Sequence, residues 1–227
     1  MKKTILIIPA LFAMSLSGCS ILNKLLGKNS SNNGSDSAEG SGNEGGSGNQ
    51  GGSQGGGATG TFIINLSATG ISVAEGVYPT ESNNFTVNNV SFTANNGVGV
   101  ASSSYNAGMN ALKCMQFNKA ENGDRKKGAI TNSAALSVTT VEITWYATYA
   151  SEDTQYFPIV KAGAAANSLS AVSCNQTSTL TGESTGTKDG SYDIYKYVTT
   201  YNVSGKGFLS LEGSASTASF ISQFKLS

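Results

Sequence analysis

Short runs of Val, Ile, Thr, Tyr and Phe recur along residues 61–227, and Gly, Asn, Asp and Ser separate them. In one of these runs Val141, Ile143 and Trp145 occupy every second position. A period of two is typical of a strand with one buried face, because successive side chains of a strand point to opposite sides of the sheet. The pattern predicts that Trp145 faces a core and that Tyr146 faces away from it.

Nine such runs predict strands, at residues 62–66, 85–94, 111–118, 138–149, 156–162, 169–173, 192–203, 208–213 and 220–226. None of the intervening segments has the length and periodicity of an amphipathic helix. Many short strands joined by polar turns favour antiparallel sheets over a parallel α/β fold. We therefore predict one all-β domain over residues 61–227, an antiparallel two-sheet β-sandwich.

Two turns and one strand face refine this prediction. Residues 151–153 predict a hairpin turn between two aromatic strands, and residues 182–190 predict a long loop rich in Gly and Thr. Phe220, Phe224 and Leu226 are predicted to share one face of the last strand, because they lie at even spacing.

Residues 29–60 have a different composition, almost wholly Gly, Ser, Asn and Gln. They include no aromatic residue and no apolar side chain larger than that of Ala, so they cannot bury enough surface to offset the entropy of ordering. The segment also lacks Pro, which predicts a flexible coil with a root-mean-square span of roughly 30 Å. We expect a flexible linker ahead of the sandwich.

The first residues have the three parts of an export signal. Lys2 and Lys3 are basic, residues 5–16 are mostly apolar, and the small residues Ser17 and Gly18 follow. The apolar run is too short to cross a hydrocarbon core of about 30 Å as a helix, which takes about 20 residues. We predict a signal peptide over residues 1–18 rather than a permanent transmembrane anchor.

Leu16-Ser17-Gly18-Cys19 resembles the lipobox of bacterial lipoprotein signal peptides. The resemblance covers the first twenty residues and implies that the thiol of Cys19 receives a diacylglycerol and that the signal is cut just before it. Residues 19–60 would then be the lipidated N-terminus and the linker. The resemblance also implies a membrane partner, the cell membrane or an outer membrane, and an extracytoplasmic domain.

Composition excludes several classes of function. The chain has no histidine, so neither a Ser-His or Cys-His nucleophile pair nor a zinc site with a histidine ligand can form. Its 14 basic and 14 acidic residues balance, which argues against a nucleic-acid partner. Carboxylates are the remaining route to hydrolysis, and no pair is marked out by spacing among Glu142, Glu152, Asp153, Glu183, Asp189, Asp193 and Glu212. We predict that the protein is not an enzyme.

Two further residue types leave alternatives open. Cys114 and Cys174 lie in apolar, strand-like runs, where either a disulfide or two separate buried thiols would fit. The basic run at residues 125–127 closely follows Glu121 and Asp124. It predicts a solvated hairpin tip with local charge compensation, and a contact with phosphate or an acidic glycan is the alternative.

The order of elements resembles the jelly-roll, galactose-binding-like modules of bacterial surface proteins, which include carbohydrate-binding modules. Residues 110–114, the long run at 140–145 and the closing pair at 208–211 and 220–224 carry the resemblance. It implies the sandwich fold more than any ligand. The export signal, the flexible linker and the absence of catalytic groups favour binding of an extracellular glycan, and we expect no cofactor. The resemblance leaves open a structural calcium ion, unassigned, near Glu75 or Glu81.

Tyrosines are the candidate ligand-binding residues, because the flat faces of sugars stack on exposed aromatic rings. Tyr146 is predicted to face away from the core, and Tyr149 and Tyr156 lie near it in the sequence. A cross-strand packing role is the alternative for Tyr146. The stripe of Tyr195, Tyr197 and Tyr201 is predicted to be a packing face between sheets.

Three hypotheses of function follow: a tethered module that binds a glycan, a structural or adhesion protein with a protein partner, and a glycoside hydrolase that uses carboxylates alone. Two or three exposed aromatic residues lining a cleft would favour the glycan module. A flat polar face with every ring buried would favour the structural role.

Overall fold

The computed structural model describes residues 57–71 and 78–227. In these ranges the strands are β1 (Ala58–Thr59), β2 (Phe62–Asn65), β3 (Asn83–Val87), β4 (Val90–Ala94), β5 (Val98–Val100), β6 (Met115–Phe117), β7 (Ala129–Asn132), β8 (Leu136–Ser137), β9 (Thr140–Ala147), β10 (Ser151–Glu152), β11 (Ile159–Gly163), β12 (Ser170–Val172), β13 (Leu180–Thr181), β14 (Glu183–Asp189), β15 (Tyr192–Asn202), β16 (Phe208–Glu212) and β17 (Ser219–Leu226). The short helices are α1 (Leu66–Thr69), α2 (Ala107–Ala111) and a 3₁₀ helix at Thr154–Tyr156.

The two main sheets are antiparallel. One has the order β12-β11-β16-β7-β4-β3, and the other has the order β14-β15-β9-β17-β6-β5. β17 runs along β9 on one side, and on its other side it pairs with β6 at its beginning and with β2 at its end. The two sheets form a sandwich, so the predicted all-β fold is confirmed.

The core lies between the sheets, and alternation places its residues. On β9, Val141 and Ile143 are fully buried and Trp145 is 3 % exposed. Their partners on β15 are Tyr201, Thr199 and Tyr197, which are also buried. Both the inward position of Trp145 and the packing role of the tyrosine stripe are as predicted. Burying one such side chain contributes about 1.5–3 kcal/mol.

The predicted hairpin at residues 151–153 is wrong. β9 belongs to the seven-stranded sheet and β11 to the six-stranded sheet, so the chain crosses from one sheet to the other here. Within the crossover, Glu152 lies opposite Leu180 in the small pair that β10 forms with β13. A hairpin and a crossover place similar residues between two strands, and only long-range pairing tells them apart.

Two other turns differ from their predictions. The predicted strand at 85–94 is a hairpin, because Asn88 and Asn89 adopt φ angles of 49° and 64° that form a tight turn between β3 and β4. The predicted loop at 182–190 is largely β14, which pairs with β15 through an irregular register between Ser184 and Lys188.

The predicted strand at 111–118 begins as the end of a helix. α2 covers residues 107–111, and β6 starts only at Met115. Between them Lys113 has a φ of 58°, a left-handed conformation that interrupts any strand. α2 has five residues, too few for its periodicity to stand out in the sequence.

A second, smaller hydrophobic cluster lies apart from the inter-sheet core. Its buried members are Ala101, Met109, Cys114 and Ile194, and Tyr146 and Phe220 are among the partly buried residues that pack against it. Tyr146 is the neighbour of Trp145 and faces the opposite way, so this cluster covers the outer face of the seven-stranded sheet beneath α2.

The predicted common face of Phe220, Phe224 and Leu226 is wrong for Phe220. β17 has an irregularity between Ile221 and Gln223, so that Ser222 is an extra residue in the pairing with β9. One inserted residue reverses the alternation. Phe224 and Leu226 therefore join the inter-sheet core, and Phe220 joins the outer cluster.

The folded domain begins earlier than predicted. β1 lies inside the range assigned to the linker, and it pairs in parallel with β8 through Ala58 and Leu136. The predicted signal peptide, Cys19 and most of the linker lie outside the described residues, as does Glu75.

Candidate functional site

A cleft with a volume of about 550 Å³ lies where β9 ends and the chain leaves the seven-stranded sheet. This volume is typical of ligand sites in proteins. Four separate parts of the chain line it: residues 105–109 with α2, residues 145–156, residues 189–192 in the turn between β14 and β15, and residues 217–220 at the start of β17.

Aromatic side chains dominate the lining. Five of the nine tyrosines contribute, together with a tryptophan and a phenylalanine: Tyr105, Tyr146, Tyr149, Tyr156, Tyr192, Trp145 and Phe220. Tyr105, Tyr149 and Tyr192 are 89 %, 69 % and 66 % exposed. In residues 57–71 and 78–227 the other large exposed apolar side chains are those of Ile63 and Val198, and neither lines the cleft.

The three predicted ligand-binding residues all line this cleft. Tyr149 is exposed just beyond the end of β9, and Tyr156 is half-buried in the 3₁₀ helix. Tyr146 is also half-buried, because it lies opposite Phe220 on β17 and packs against the outer cluster. Tyr146 therefore combines the two roles that the sequence left open, cross-strand packing and a place in the lining.

Trp145 forms the base of the cleft and belongs to the inter-sheet core. Its ring stacks on Tyr197 with centroids 4.5 Å apart and lies 5.8 Å from Phe157. The Tyr197 hydroxyl donates a hydrogen bond of 2.5 Å to the carbonyl of Tyr149. Burial, and then the charge of Glu152, raise the pKa of Tyr197 to about 12, so this donor keeps its proton at neutral pH. A core residue thus fixes the backbone of Tyr149, whose ring is exposed.

α2 forms one wall of the cleft, and Gly108 and Asp189 fix the position of this helix. Gly108 lies so close to β14 that a Cβ atom there would be 2.2 Å from the carbonyl oxygen of Lys188. Asp189 accepts hydrogen bonds from the backbone N–H of Gly108 at 3.1 Å and from the side chain of Asn106 at 3.3 Å. Gly190 follows with a φ of 61°, which allows the turn into β15.

The charged residues of the lining are both acidic. Among residues 57–71 and 78–227 they are Glu152 and Asp189, and no lysine or arginine of these ranges lines the cleft. Glu152 is only 7 % exposed. Burial, and then the negative charge of Asp153, raise the pKa of Glu152 above its ordinary value. The cleft therefore offers aromatic faces and hydrogen-bond acceptors, and it disfavours an anionic ligand.

The basic run at 125–127 contributes to a different site. Lys127 lies 2.8 Å from Glu212, which also pairs with Lys161 at 2.8 Å. Arg125 lies over the ring of Tyr78, 4.3 Å from its centroid. Lys127 is thus compensated by a distant strand rather than by the neighbouring Glu121 or Asp124, so local compensation was the wrong prediction for it.

Three properties of the described ranges concern metal, disulfide and membrane-spanning sites. No group of three or more acidic, cysteine or histidine residues is arranged to hold a metal ion, at Glu81 or elsewhere. Cys114 and Cys174 are not paired with each other: Cys114 is buried in the outer cluster, and Cys174 is half-buried and packs against the inter-sheet core. No helix there is long and apolar enough to span a bilayer.

Sequence reasoning missed Tyr105 and Tyr192 as site residues, and it did not single out Glu152 or Asp189. A signal for Tyr105 was present, since it is a large ring in the polar segment 102–106. Tyr192 was predicted only as the first residue of the strand at 192–203. Its place in the same cleft as Tyr149 depends on the pairing of β15 with β9, which the sequence does not reveal.

Comparisons of the chain with protein-family models, with curated proteins and with solved structures found no match.

Proposed function

We propose that this protein is a lipid-anchored bacterial surface lipoprotein whose sandwich domain binds an extracellular glycan in the aromatic cleft. The observation that carries the proposal is the convergence of Tyr105, Tyr149 and Tyr192, three exposed rings from distant parts of the chain, on one cavity. Exposed rings are costly to hydrate and are common where a ligand with a flat apolar face binds.

Two further features support binding rather than a purely structural role. The backbone that carries two of the rings is fixed, since Tyr197 bonds the carbonyl of Tyr149 and Asp189 bonds Asn106 beside Tyr105. A site whose groups are already ordered loses less entropy when it binds. We propose binding without hydrolysis, because a carboxylate glycosidase uses a pair of such groups and one of the two in the lining, Asp189, instead bonds Asn106 and Gly108 of the cleft wall.

The glycan part of the proposal is tested with a glycan array probed by the whole protein in detergent. Removing one exposed ring, as in Tyr149→Ala or Tyr192→Ala, is expected to weaken binding of any hit about tenfold or more, the range for central interface aromatics. The matched controls Ile63→Ala and Val198→Ala remove exposed apolar groups outside the cleft and should leave affinity unchanged. Equal losses of affinity in the two ring variants and the two control variants, or no glycan hit at all, would contradict the proposal.

The anchor is tested in the bacterial host. Cys19→Ser is expected to abolish acyl labelling and to leave unprocessed precursor, since the lipobox resemblance makes this thiol the attachment point. Two or more acyl chains would hold the protein stably at the membrane, at about 0.8 kcal/mol for each buried methylene. A wild-type protein that carries no acyl chain by mass spectrometry would rule out the anchor.

A further inference from the structure

Two glutamates of the domain are almost equally buried but differ in their surroundings. Glu212 is 5 % exposed, and it is bound by Lys127, Lys161 and the hydroxyl of Ser210. Glu152 is 7 % exposed and has no hydrogen-bond or ion-pair partner among residues 57–71 and 78–227. The Glu152 oxygens are not among the fully buried side-chain atoms that lack a partner, so this unbonded carboxylate still has accessible surface, and it lines the cleft as an available acceptor.

The open acceptor faces the ligand site. Glu152 lines the cleft and also an adjoining cavity of about 550 Å³, and Tyr149 and Tyr156 line both as well. No lysine or arginine in the described part of the chain lines either cavity. The other carboxylate of the cleft, Asp189, is occupied by Asn106 and Gly108. Glu152 is therefore the acidic group of the cleft that is free to receive a ligand.

We propose, on the basis of the glycan site above, that the cleft selects sugar units carrying a protonated amino group and that Glu152 accepts a hydrogen bond from that ammonium. An ammonium group offers three donors and forms a charge-assisted bond with a carboxylate. The faces of Tyr149 and Tyr156 also attract a cation. An acidic sugar would meet two carboxylates in this lining and no basic side chain of the described residues.

The test compares three hexasaccharides by calorimetry on the whole protein in detergent, slightly below neutral pH. They are a glucosamine oligomer, its N-acetylated counterpart and a galacturonic acid oligomer. We expect the glucosamine oligomer to bind about tenfold more tightly than the N-acetylated one, as one charge-assisted hydrogen bond implies, and the acidic oligomer not to bind.

Glu152→Gln is expected to lower affinity for the glucosamine oligomer about tenfold and to change affinity for the N-acetylated oligomer less than about twofold. The control Glu183→Gln removes the same charge from an exposed site paired with Lys196, and it should change neither affinity. Glu152→Gln should also raise the melting temperature, because it removes an uncompensated buried charge.

The outcomes separate this inference from the proposed function. Equal affinity of the wild-type protein for the glucosamine and N-acetylated oligomers, or preference for the acidic one, overturns the amino-sugar inference and leaves glycan binding standing. Failure of every glycan, on the array as well, overturns both. Since the wild-type comparison needs no variant, the inference stays testable even if Glu152→Gln does not fold.

Discussion

The two faces of β9 carry neighbouring aromatic residues in different environments. Trp145 faces the inter-sheet core, where the residues of two large sheets close around it. Tyr146 faces the outer cluster, which has four fully buried members and is covered by the short helix α2. Both residues line the cleft, but Trp145 is 3 % exposed and Tyr146 is half-buried.

The difference lies in what holds each side together. Regular alternation along many strands builds the inner core, so no single contact decides its geometry. The outer cluster depends on a few specific contacts, above all the close approach of Gly108 to Lys188 and the bonds of Asp189. A ligand site on such a small cluster can change while the sandwich stays intact.

Truncating Trp145, on the inner face of β9, should have the largest effect on stability. Trp145→Ala is expected to lower the free energy of unfolding by about 3–5 kcal/mol, because it leaves a cavity beside Tyr197 and Phe157. Tyr146→Ala, on the other face, should cost about 1 kcal/mol or less, the range of a cross-strand aromatic pair. Urea denaturation measures both. If Trp145→Ala left the midpoint unchanged and abolished binding, the assignment of the two faces would be reversed.

Gly108→Ala tests how the outer cluster is seated. The added methyl would overlap the carbonyl of Lys188, so we expect a loss of about 1–3 kcal/mol in urea denaturation and weaker glycan binding as α2 moves. Gly186→Ala is the matched control: its φ is 69° and its Cβ would meet no atom within 4 Å. The control should lose about 1 kcal/mol and keep its affinity. Wild-type affinity in Gly108→Ala would show that α2 does not position the cleft.

A pH titration extends the comparison to the outer face of the other sheet. Burial alone would raise the pKa of Glu212, but the hydrogen bonds and charges of Lys127 and Lys161 outweigh it and lower that pKa. The stabilisation by these ion pairs is therefore fully present at pH values above the ordinary pKa of a carboxyl group. It is lost as the pH falls through the lowered pKa of Glu212. We expect Glu212→Gln to cost about 1–2 kcal/mol at neutral pH. If the difference in unfolding free energy between Glu212→Gln and the wild type did not shrink in acid, the ion pairs would not be the source of the stabilisation.

Thiol labelling tests the outer cluster without altering it. Burial raises the pKa of Cys114 to about 12, so its thiol should resist alkylation in the native state at neutral pH. Cys174 is half-buried and should react first. Peptide mass spectrometry should find Cys174 modified natively and both modified in urea. Native labelling of Cys114 at the rate of Cys174 would show that the outer cluster opens readily.

The sequence predicted the inner core well and the outer face poorly, for a physical reason. Alternation is local, so the burial of Val141, Ile143 and Trp145 can be inferred from one strand. The face of Phe220 cannot, because one extra residue in β17 reverses the pattern and only the pairing with β9 reveals it. Strand patterns therefore fix which residues are buried far better than where a bulge falls.

The cleft was predictable only in part for the same reason. Tyr146, Tyr149 and Tyr156 lie close together in the sequence and could be grouped in advance. Tyr105 and Tyr192 come from segments far from them in the chain. The bond between Asn106 and Asp189 joins residues 83 positions apart, and no local pattern predicts such a contact. The crossover of the chain from one sheet to the other at residues 151–153 could not be predicted from local pattern either.

The pairing of β2 with β17 has a mechanical consequence. The chain enters the sandwich near the start of β9, and the cleft lies at the other end of that strand, about 23 Å away, since each step along a strand advances about 3.3 Å. A pull on residue 61 against a ligand held in the cleft would act along β2. The four residue pairs that join β2 to β17, from Phe62 with Leu226 to Asn65 with Gln223, would be loaded in shear and would resist together. Pulling across the strands would instead break them one after another.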